Sequence, residues 1–556
     1  MKFLNKIEIN KYLNNINNYL FHNFSDKRSI ILTFSMLLLY IIFYFLFNNI
    51  YSIISSRYEY FLMTQKKLII FFLITTLPFF FFFFFKLNIW TNFWQNTEKP
   101  HYIDYLFFII IISFFYISFS HLDMCRIQRD GYLFLKKILY GENTEIGTPY
   151  LFFIYFIYGI WSIPVMIFEY IFNIQIDINN IYNSNPYLPY LIWWYRVPIT
   201  IFYIACAHVI YKIAVKLNFE NNKAKWISFI WIIFPVNIFS VFIYGQTDSI
   251  CVFFMLIMFY FFIKKNLLYA SLACMVAIIF KPFPIFIYLP LLLLFEKKIL
   301  KILGYIIITV SMYLFAQLTS NVFFNSARYE FDDYMIDRLF TYGIEVYKGT
   351  FSIFIFSMIL VCIIAFFTKI DNKDNFVINK YIFYIPLFVF SMLASFINFH
   401  PYWIIYLTPF IVFNIFLNKN VKALIILSIG INIGTILNCM AIHPKISILF
   451  SQSISNIIYK EYNYLLYMFG IIVKLTDYFI TFGGRISLNL YISIYISLLL
   501  TNIILSFPNK KNLKTSRDII ISTFNVERDI IWLMGLTVML WAVINIFLYF
   551  STYPYL

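Results

Sequence analysis

FIYGQTDSICVFF, residues 242–254, sets an amide, a hydroxyl and a carboxylate inside an apolar run. A polar break between two greasy segments is where one helix ends and the next begins. Gly245 suits the left-handed end of a helix, and Thr247 or Asp248 suits the N-cap of its successor. That leaves Gln246 unexplained. A carboxylate beside an amide at a helix N-terminus is well matched to the hydroxyl groups of a sugar.

The surroundings of this break decide the fold class. Of 556 residues, 62% are hydrophobic and only 12% charged, where a soluble chain carries about 25% charged residues. Mean hydropathy is +0.79. Apolar runs of about 18 residues or more recur from Ile30 to Leu548, which is the mark of membrane helices. In lipid, only helices and closed barrels satisfy the backbone. Barrel strands would be about 10 residues of alternating polarity, and these runs are long and continuous. The expected fold is therefore all-α: a polytopic integral membrane protein with roughly 13–15 transmembrane helices. The runs place spans at 29–50, 68–86, 103–121, 190–214, 226–244, 248–264, 267–280, 283–296, 301–318, 351–368, 381–397, 403–417, 422–439, 488–506 and 528–549. Segment 149–172 is apolar but interrupted by Gly159 and Pro164, and 446–482 is mixed.

Lysines and arginines between the runs orient the chain. Residues 1–28 are polar and basic, so they form a cytoplasmic segment ahead of an uncleaved first span. Lys212, Lys216, Lys223, Lys225, Lys264, Lys265, Lys297, Lys298, Lys301, Lys369, Lys373, Lys419, Lys422, Lys510, Lys511, Lys514 and Arg517 fall on one face if 149–172 does not cross. That segment is then expected to dip in and return, or to lie on the membrane surface, with 446–482 external. The organisation reads as N-terminal spans over 29–121, an external loop over 122–189, a transmembrane core over 190–440 and a C-terminal membrane region over 441–556. The GQTD turn, Lys281, loop 319–350, His400 and segment 122–148 all fall on the external side. Polar groups that are expensive near lipid thus converge.

Other classes are disfavoured. The net charge of +16 comes from short clusters between apolar runs, which is a topology signal and not a nucleic-acid surface. The six cysteines show no CxxC or Cys/His ligand spacing, so no metal is expected. No P-loop, Rossmann fingerprint, HExxH motif or repeat of 20 to 50 residues appears. The 71 Phe and 46 Tyr, with FFFFFFF at 79–85, read as lipid-facing bulk.

Five stretches can carry chemistry. In HLDMCRIQRDGYLFLKKILYG, 121–141, Asp123, Arg126 and Asp130 are spaced to share a helix face. They are either a stabilising ladder or a carboxylate held as a general base. Asp248 and Gln246 are the second. Lys281, in AIIFKPFPIF at 277–286, is the third. A charge at membrane depth costs at least ~2.5 kcal/mol, so Lys281 either snorkels or binds a lipid-linked phosphate. His400 and Tyr402, in NFHPYWIIYLTPF at 398–410, and Arg196, in WWYRVPIT at 193–200, lie at the outer starts of spans. There they are interface anchors or substrate contacts.

The order of these stretches resembles the GT-C glycosyltransferases that use polyprenyl-phosphate sugars. The similar groups are bacterial mannosyltransferase-like proteins related to PIG-V, and glycosyltransferase family 87. Gly245, Gln246, Asp248 and Ser249 match a GQxDS turn, and Lys281 with Pro282 matches a later Lys-Pro element. Asp130, Gly131, Leu135 and Gly141 match a WDG-x-x-x-L motif running to a glycine, with Arg129 in place of its Trp. That departure keeps Asp123 open as the matching acid. The resemblance covers roughly residues 120–410.

It implies a GT-C-like helical bundle that moves a sugar, mannose or another hexose, from a polyprenyl-phosphate carrier to an acceptor hydroxyl. Asp130 or Asp123 would be the base. Lys281 and Arg196 would hold the donor phosphate, and Gln246, Asp248, His400 and Tyr402 the sugar or acceptor. No cofactor or metal is implied beyond the donor substrate itself. The partners would be membrane lipid and a glycan or glycolipid acceptor, in a bacterial plasma membrane. The alternatives are a transporter or flippase of lipid-linked sugars or small solutes, and a non-catalytic subunit of a glycan-assembly complex.

Overall fold

The chain divides into two units, Met1–Glu98 with Leu536–Leu556, and Lys99–Gly535. The computed structural model describes residues 119–141, 152–173, 188–323, 338–340, 343–346, 349–368, 375–397, 400–442, 446–448 and 484–508, with scattered positions from 105 to 116. All belong to the second unit. The expected cytoplasmic segment 1–28, the spans 29–50, 68–86 and 528–549, the rest of 103–121, and segment 446–482 beyond Ile448 lie outside the described residues.

The described part is a helical bundle with four three-residue strands. Strand β1 (Phe119–His121) leads into α1 (Leu122–Tyr140), then α2 (Phe152–Phe172), α3 (Leu188–Lys216), α4 (Asn221–Ile232), α5 (Pro235–Ile238) and a π-helical turn (Phe239–Ile243). Next come α6 (Asp248–Ile263), α7 (Leu267–Ile278), α8 (Pro284–Phe295) and α9 (Ile299–Phe323). Strands β2 (Ile344–Val346) and β3 (Gly349–Phe351) form a hairpin before α10 (Ile353–Phe367) and α11 (Asn375–Phe396). A 3-10 turn (Pro401–Tyr406), α12 (Thr408–Leu417), α13 (Val421–Ile442), β4 (Ile446–Ile448) and α14 (Gly484–Ser506) follow. β4 pairs antiparallel with β1. Among the described residues, three helices could cross a membrane by length and composition, Phe152–Phe172, Leu191–Lys216 and Ile299–Thr319, or four if the bent pair Asn221–Ile232 and Pro235–Ile243 is one span.

Three expected segments fold differently. The segment at 149–172 is one helix of 21 residues with Pro164 inside it, so a dip and return is ruled out. The expected span 226–244 is two pieces bent by 51°. Pro235 has no N–H and cannot continue α4. The break is held by side chains: Asn432 Oδ1 accepts from Val236 N at 3.1 Å, and Thr408 donates to Asn237 Oδ1 at 2.7 Å while accepting from Trp231 Nε1. The expected span 403–417 is likewise split, because Pro401 and Pro409 each open a short helix.

Helices α6 to α12 run alternately up and down, so their turns sort to two ends. One end holds Lys264 and Lys265, Lys297 and Lys298, and Lys419. There Lys297 Nζ donates to the carbonyls of Leu293 and Ala365, both at 2.7 Å, at the C-terminal ends of α8 and α10. A cation is favourable at that pole of a helix. The other end holds the turns before α6, α8 and the 3-10 segment. Helix α1 joins that end through Met124, which packs on Gly245, and it crosses α2 closely: a Cβ on Gly131 would lie 2.5 Å from Tyr158 Cβ. Helix α2 touches α3 near Trp161–Trp194, whose rings stack at 4.9 Å, and Ser162–Tyr195.

Candidate functional site

Three turns meet at the end opposite the lysines. The first follows the π-helical turn. Gly245 takes φ +62°, and a Cβ there would sit 2.6 Å from Met124 Cβ of α1. Gln246 N donates to Ser240 O at 3.1 Å, closing the turn. Thr247 occupies the N-cap position of α6 but its side chain makes no capping bond. Asp248 does not cap either. Its Oδ1 accepts from Lys281 Nζ at 2.6 Å and from Tyr406 OH at 2.8 Å.

Lys281 belongs to the second turn, between α7 and α8, where Pro284 supplies the first residue of α8. The turn is held to α6 by Cys251, whose Sγ donates to Ala277 O and Lys281 O. Lys281 is 3% exposed and Asp248 fully buried, so snorkelling is ruled out. An ion pair at this depth is stable only because each charge has a partner. The third turn carries His400, Tyr402, Trp403 and Tyr406. Lys281 Nζ lies 5.1 Å from the Trp403 ring centre and the Arg338 guanidinium 6.0 Å from it. His400 stacks on Tyr402 at 5.2 Å, and Tyr402 stacks on Tyr244 at 4.8 Å.

The cluster is recessed. Ser249 Oγ donates to Ile199 O, eleven residues on from Leu188, where α3 begins. At 1.5 Å per residue the turn lies about 16 Å below the start of α3. Short helices produce this: α6, α7, α8 and α12 are 16, 12, 12 and 10 residues long.

The structure thus brings together Gln246, Asp248, Lys281, His400 and Tyr402. Asp130 stands apart on α1, fully buried, with Arg129 bonded to its Oδ1 at 2.9 Å. Arg126 is exposed, so the expected Asp123–Arg126–Asp130 face is not one solvated ladder. Asp123 lies in the first turn of α1, and its side chain is outside those described. Arg196 is also fully buried and donates to the carbonyls of Phe115 and Tyr116. Burial inside α3 overturns the expectation of a headgroup anchor at a span's outer start. Lys281 is not a lone cation, since Asp248 neutralises it. Tyr406 and Arg338 were missed from the sequence, and Trp403 read there only as an interface aromatic beside His400 and Tyr402. Tyr406 was hidden among 46 Tyr, and Arg338 sits in a stretch with no helical period. Among the described residues no group of three or more His, Cys, Asp or Glu side chains gathers in a metal-binding arrangement.

Fold and site together define a helical protein with a buried acid–cation–aromatic cluster at one end of its bundle. No protein-family model and no curated protein matches the chain.

The close approach at Gly245 makes a sharp expectation. Gly245→Ala forces a left-handed φ on a residue with a Cβ and presses that Cβ into Met124, for a loss of about 2 to 3 kcal/mol. Thermal unfolding of the purified chain measures it. Gly245→Ala/Met124→Gly, compared with Met124→Gly alone, should recover the packing part and leave the backbone part, because the nearest atom is the Met124 Cβ itself. A single variant as stable as wild type would rule the contact out.

Proposed function

We propose that this chain is a polytopic membrane glycosyltransferase that moves a hexose from a polyprenyl phosphate to an acceptor hydroxyl. The observation that carries the reading is the recessed convergence of Asp248, Lys281, Tyr406 and the aromatic turn at the end of the bundle opposite the lysine turns. Lysine turns mark the cytoplasmic side, so the cluster would open to the external side of a bacterial plasma membrane. Apolar side chains exposed on α9 and α10, such as Leu300, Ile307, Leu318, Ile359, Ile363 and Phe367, would face lipid. The contacts of α2 with α3 at Trp161–Trp194 and Ser162–Tyr195 lie near the start of α3, which suits an interfacial helix with the Trp161–Trp194 pair at the headgroup level.

The chemistry follows from the resemblance to GT-C enzymes. The acceptor oxygen bonds to the anomeric carbon as the bond to the phosphate oxygen breaks, with inversion. The acceptor proton goes to a carboxylate of α1, Asp130 or Asp123, and the electron pair leaves with the polyprenyl phosphate. Helix α1 reaches the cluster through Met124 against Gly245, and Asp130 lies six residues further, about 9 Å along the axis. Lys281 would donate to the phosphate side while paired with Asp248, and the net positive charge there would come from Arg338 across the same indole. Arg196 would act by holding the backbone at Phe115 and Tyr116 instead of touching phosphate.

A second reading, transport, is favoured by the buried Asp248–Lys281 pair among broken helices. Proteoliposomes separate the two. Full-length protein with farnesyl-phosphate [³H]mannose, [³H]glucose or [³H]galactose and a lipid extract of the source cells as acceptor should yield a new covalently labelled lipid, and Asp248→Asn should abolish it. Label that crosses the bilayer unchanged, with no product, supports transport and sinks the transferase.

A further inference from the structure

Asp248 is bonded asymmetrically. Lys281 Nζ and Tyr406 OH both meet Oδ1, while Oδ2 is buried and, among the described residues, meets no hydrogen-bond donor. A buried carboxylate oxygen without a partner is costly, and native structures keep few of them. Had the two donors been shared, one to each oxygen, each oxygen would have a partner. Instead the residue is clamped by one atom and offers the other.

We infer that Tyr406 is a positioning residue, which with Lys281 locks Asp248 Oδ1 so that Oδ2 accepts a hydrogen bond from a neutral hydroxyl of the hexose. Charge decides the kind of group. Lys281, 2.6 Å from Oδ1, already neutralises the carboxylate, so an ammonium at Oδ2 would leave a net buried positive charge. A carboxylate would face lone pairs. A hydroxyl satisfies Oδ2 and adds no charge. The wall around the cluster fits the same ligand: Phe283 lies 4.9 Å from Trp403 and 5.1 Å from Tyr406, giving apolar rings for the C–H face of a sugar beside a few directed polar groups. Tyr406 itself need not touch substrate. Held by Lys281 alone, the carboxylate could still turn about its Cβ–Cγ bond, and the phenol fixes the second direction. The backbone supports this placement, because Asp248 opens α6 and Tyr406 closes the 3-10 turn just before α12.

This inference rests on the glycosyltransferase reading, and binding is tested apart from turnover. Purified full-length protein is titrated with farnesyl phosphate and with farnesyl-phosphate mannose, glucose and galactose, and affinity is read by microscale thermophoresis. In wild type the best of the three sugars should bind about tenfold to a hundredfold tighter than the bare carrier. Tyr406→Phe should lose most of that increment and still bind bare carrier as wild type does, while Asp248→Asn should lose the increment measured against its own bare-carrier affinity, which rises because Lys281 is left uncompensated. A merely structural defect would weaken both ligands alike. One monodeoxy version of the best sugar should lose the increment on wild type as the full sugar does on Asp248→Asn, and it names the hydroxyl. A Tyr406→Phe protein with the full increment overturns the inference while the transferase reading stands. So does a deoxy series in which every sugar keeps it, or a wild type that binds no sugar better than bare carrier. A wild type that ignores the bare carrier as well removes both. If Tyr406→Phe does not survive purification, Asp248→Asn and the deoxy series decide alone.

Discussion

Lys281→Met should lower the stability of the folded chain by about 3–5 kcal/mol, and Lys281→Met/Asp248→Leu should recover most of it. Both residues are buried, and the pair is direct at 2.6 Å. Removing one partner leaves an uncompensated charge in an apolar bundle, and that is the origin of the loss. Removing both leaves apolar groups of similar volume, which cores tolerate. Tyr406 then loses its acceptor, so recovery should fall short by the cost of one stranded hydroxyl, about 1–3 kcal/mol. Unfolding midpoints of single and double variants in the same detergent give the coupling directly. A double variant as unstable as Lys281→Met would mean that the two charges do not depend on each other. Function should behave oppositely: the double variant regains stability and stays inactive, because Oδ2 has gone with the carboxylate.

Much of the helical order was readable because apolar runs and polar breaks fix helix ends locally. The turns at Gly245, Lys281–Pro282 and Lys419 fell between helices as expected, and α6, α7 and α8 begin within a residue of the expected spans or at it. Two errors share a cause. Glycine and proline in 149–172 were read as breaks, yet packing of Gly131 and Gly159 along the α1–α2 crossing keeps α2 continuous. In 226–244 the proline did break the helix, because Asn432, Asn237 and Thr408 satisfy the freed groups. Local residue type gives the liability of a helix to break, and distant partners decide whether it breaks.

The site was legible as separate polar interruptions, and its pairings were not. Spacing could not show that Asp248 and Lys281, thirty-three residues apart, bind each other, nor that Tyr406 joins them. Asp248 and Lys281 each had a plausible solitary role, as cap or as snorkelling lysine, and Tyr406 had none. Burial removes those roles at once: a cap needs its own helix's amides, a snorkelling lysine needs water, and neither describes a pair that is almost fully enclosed. Depth was also invisible, since it depends on Ser249 meeting Ile199 well inside α3.

Asp130→Asn should reduce transfer by about 10²–10⁴-fold if Asp130 is the base, with little loss of stability. The geometry allows the two effects to be separated. Asparagine keeps the shape of the buried side chain, and the Arg129 left behind is 28% exposed, so water compensates much of its lost partner. A structural role would give the reverse pattern, a lower unfolding midpoint with turnover intact. Asp123→Asn is the necessary companion, because both carboxylates lie on α1 seven residues apart and one reaction needs one base. Initial rates with farnesyl-phosphate hexose at saturating donor, for both variants, assign the role to the one that falls. Asp130 is the stronger expectation: a carboxylate fully withdrawn from solvent on the helix that touches the Gly245 turn can take a proton without competing water. Full rates in both variants would remove general-base catalysis from α1 and leave Asp248 Oδ2 as the carboxylate oxygen facing the acceptor.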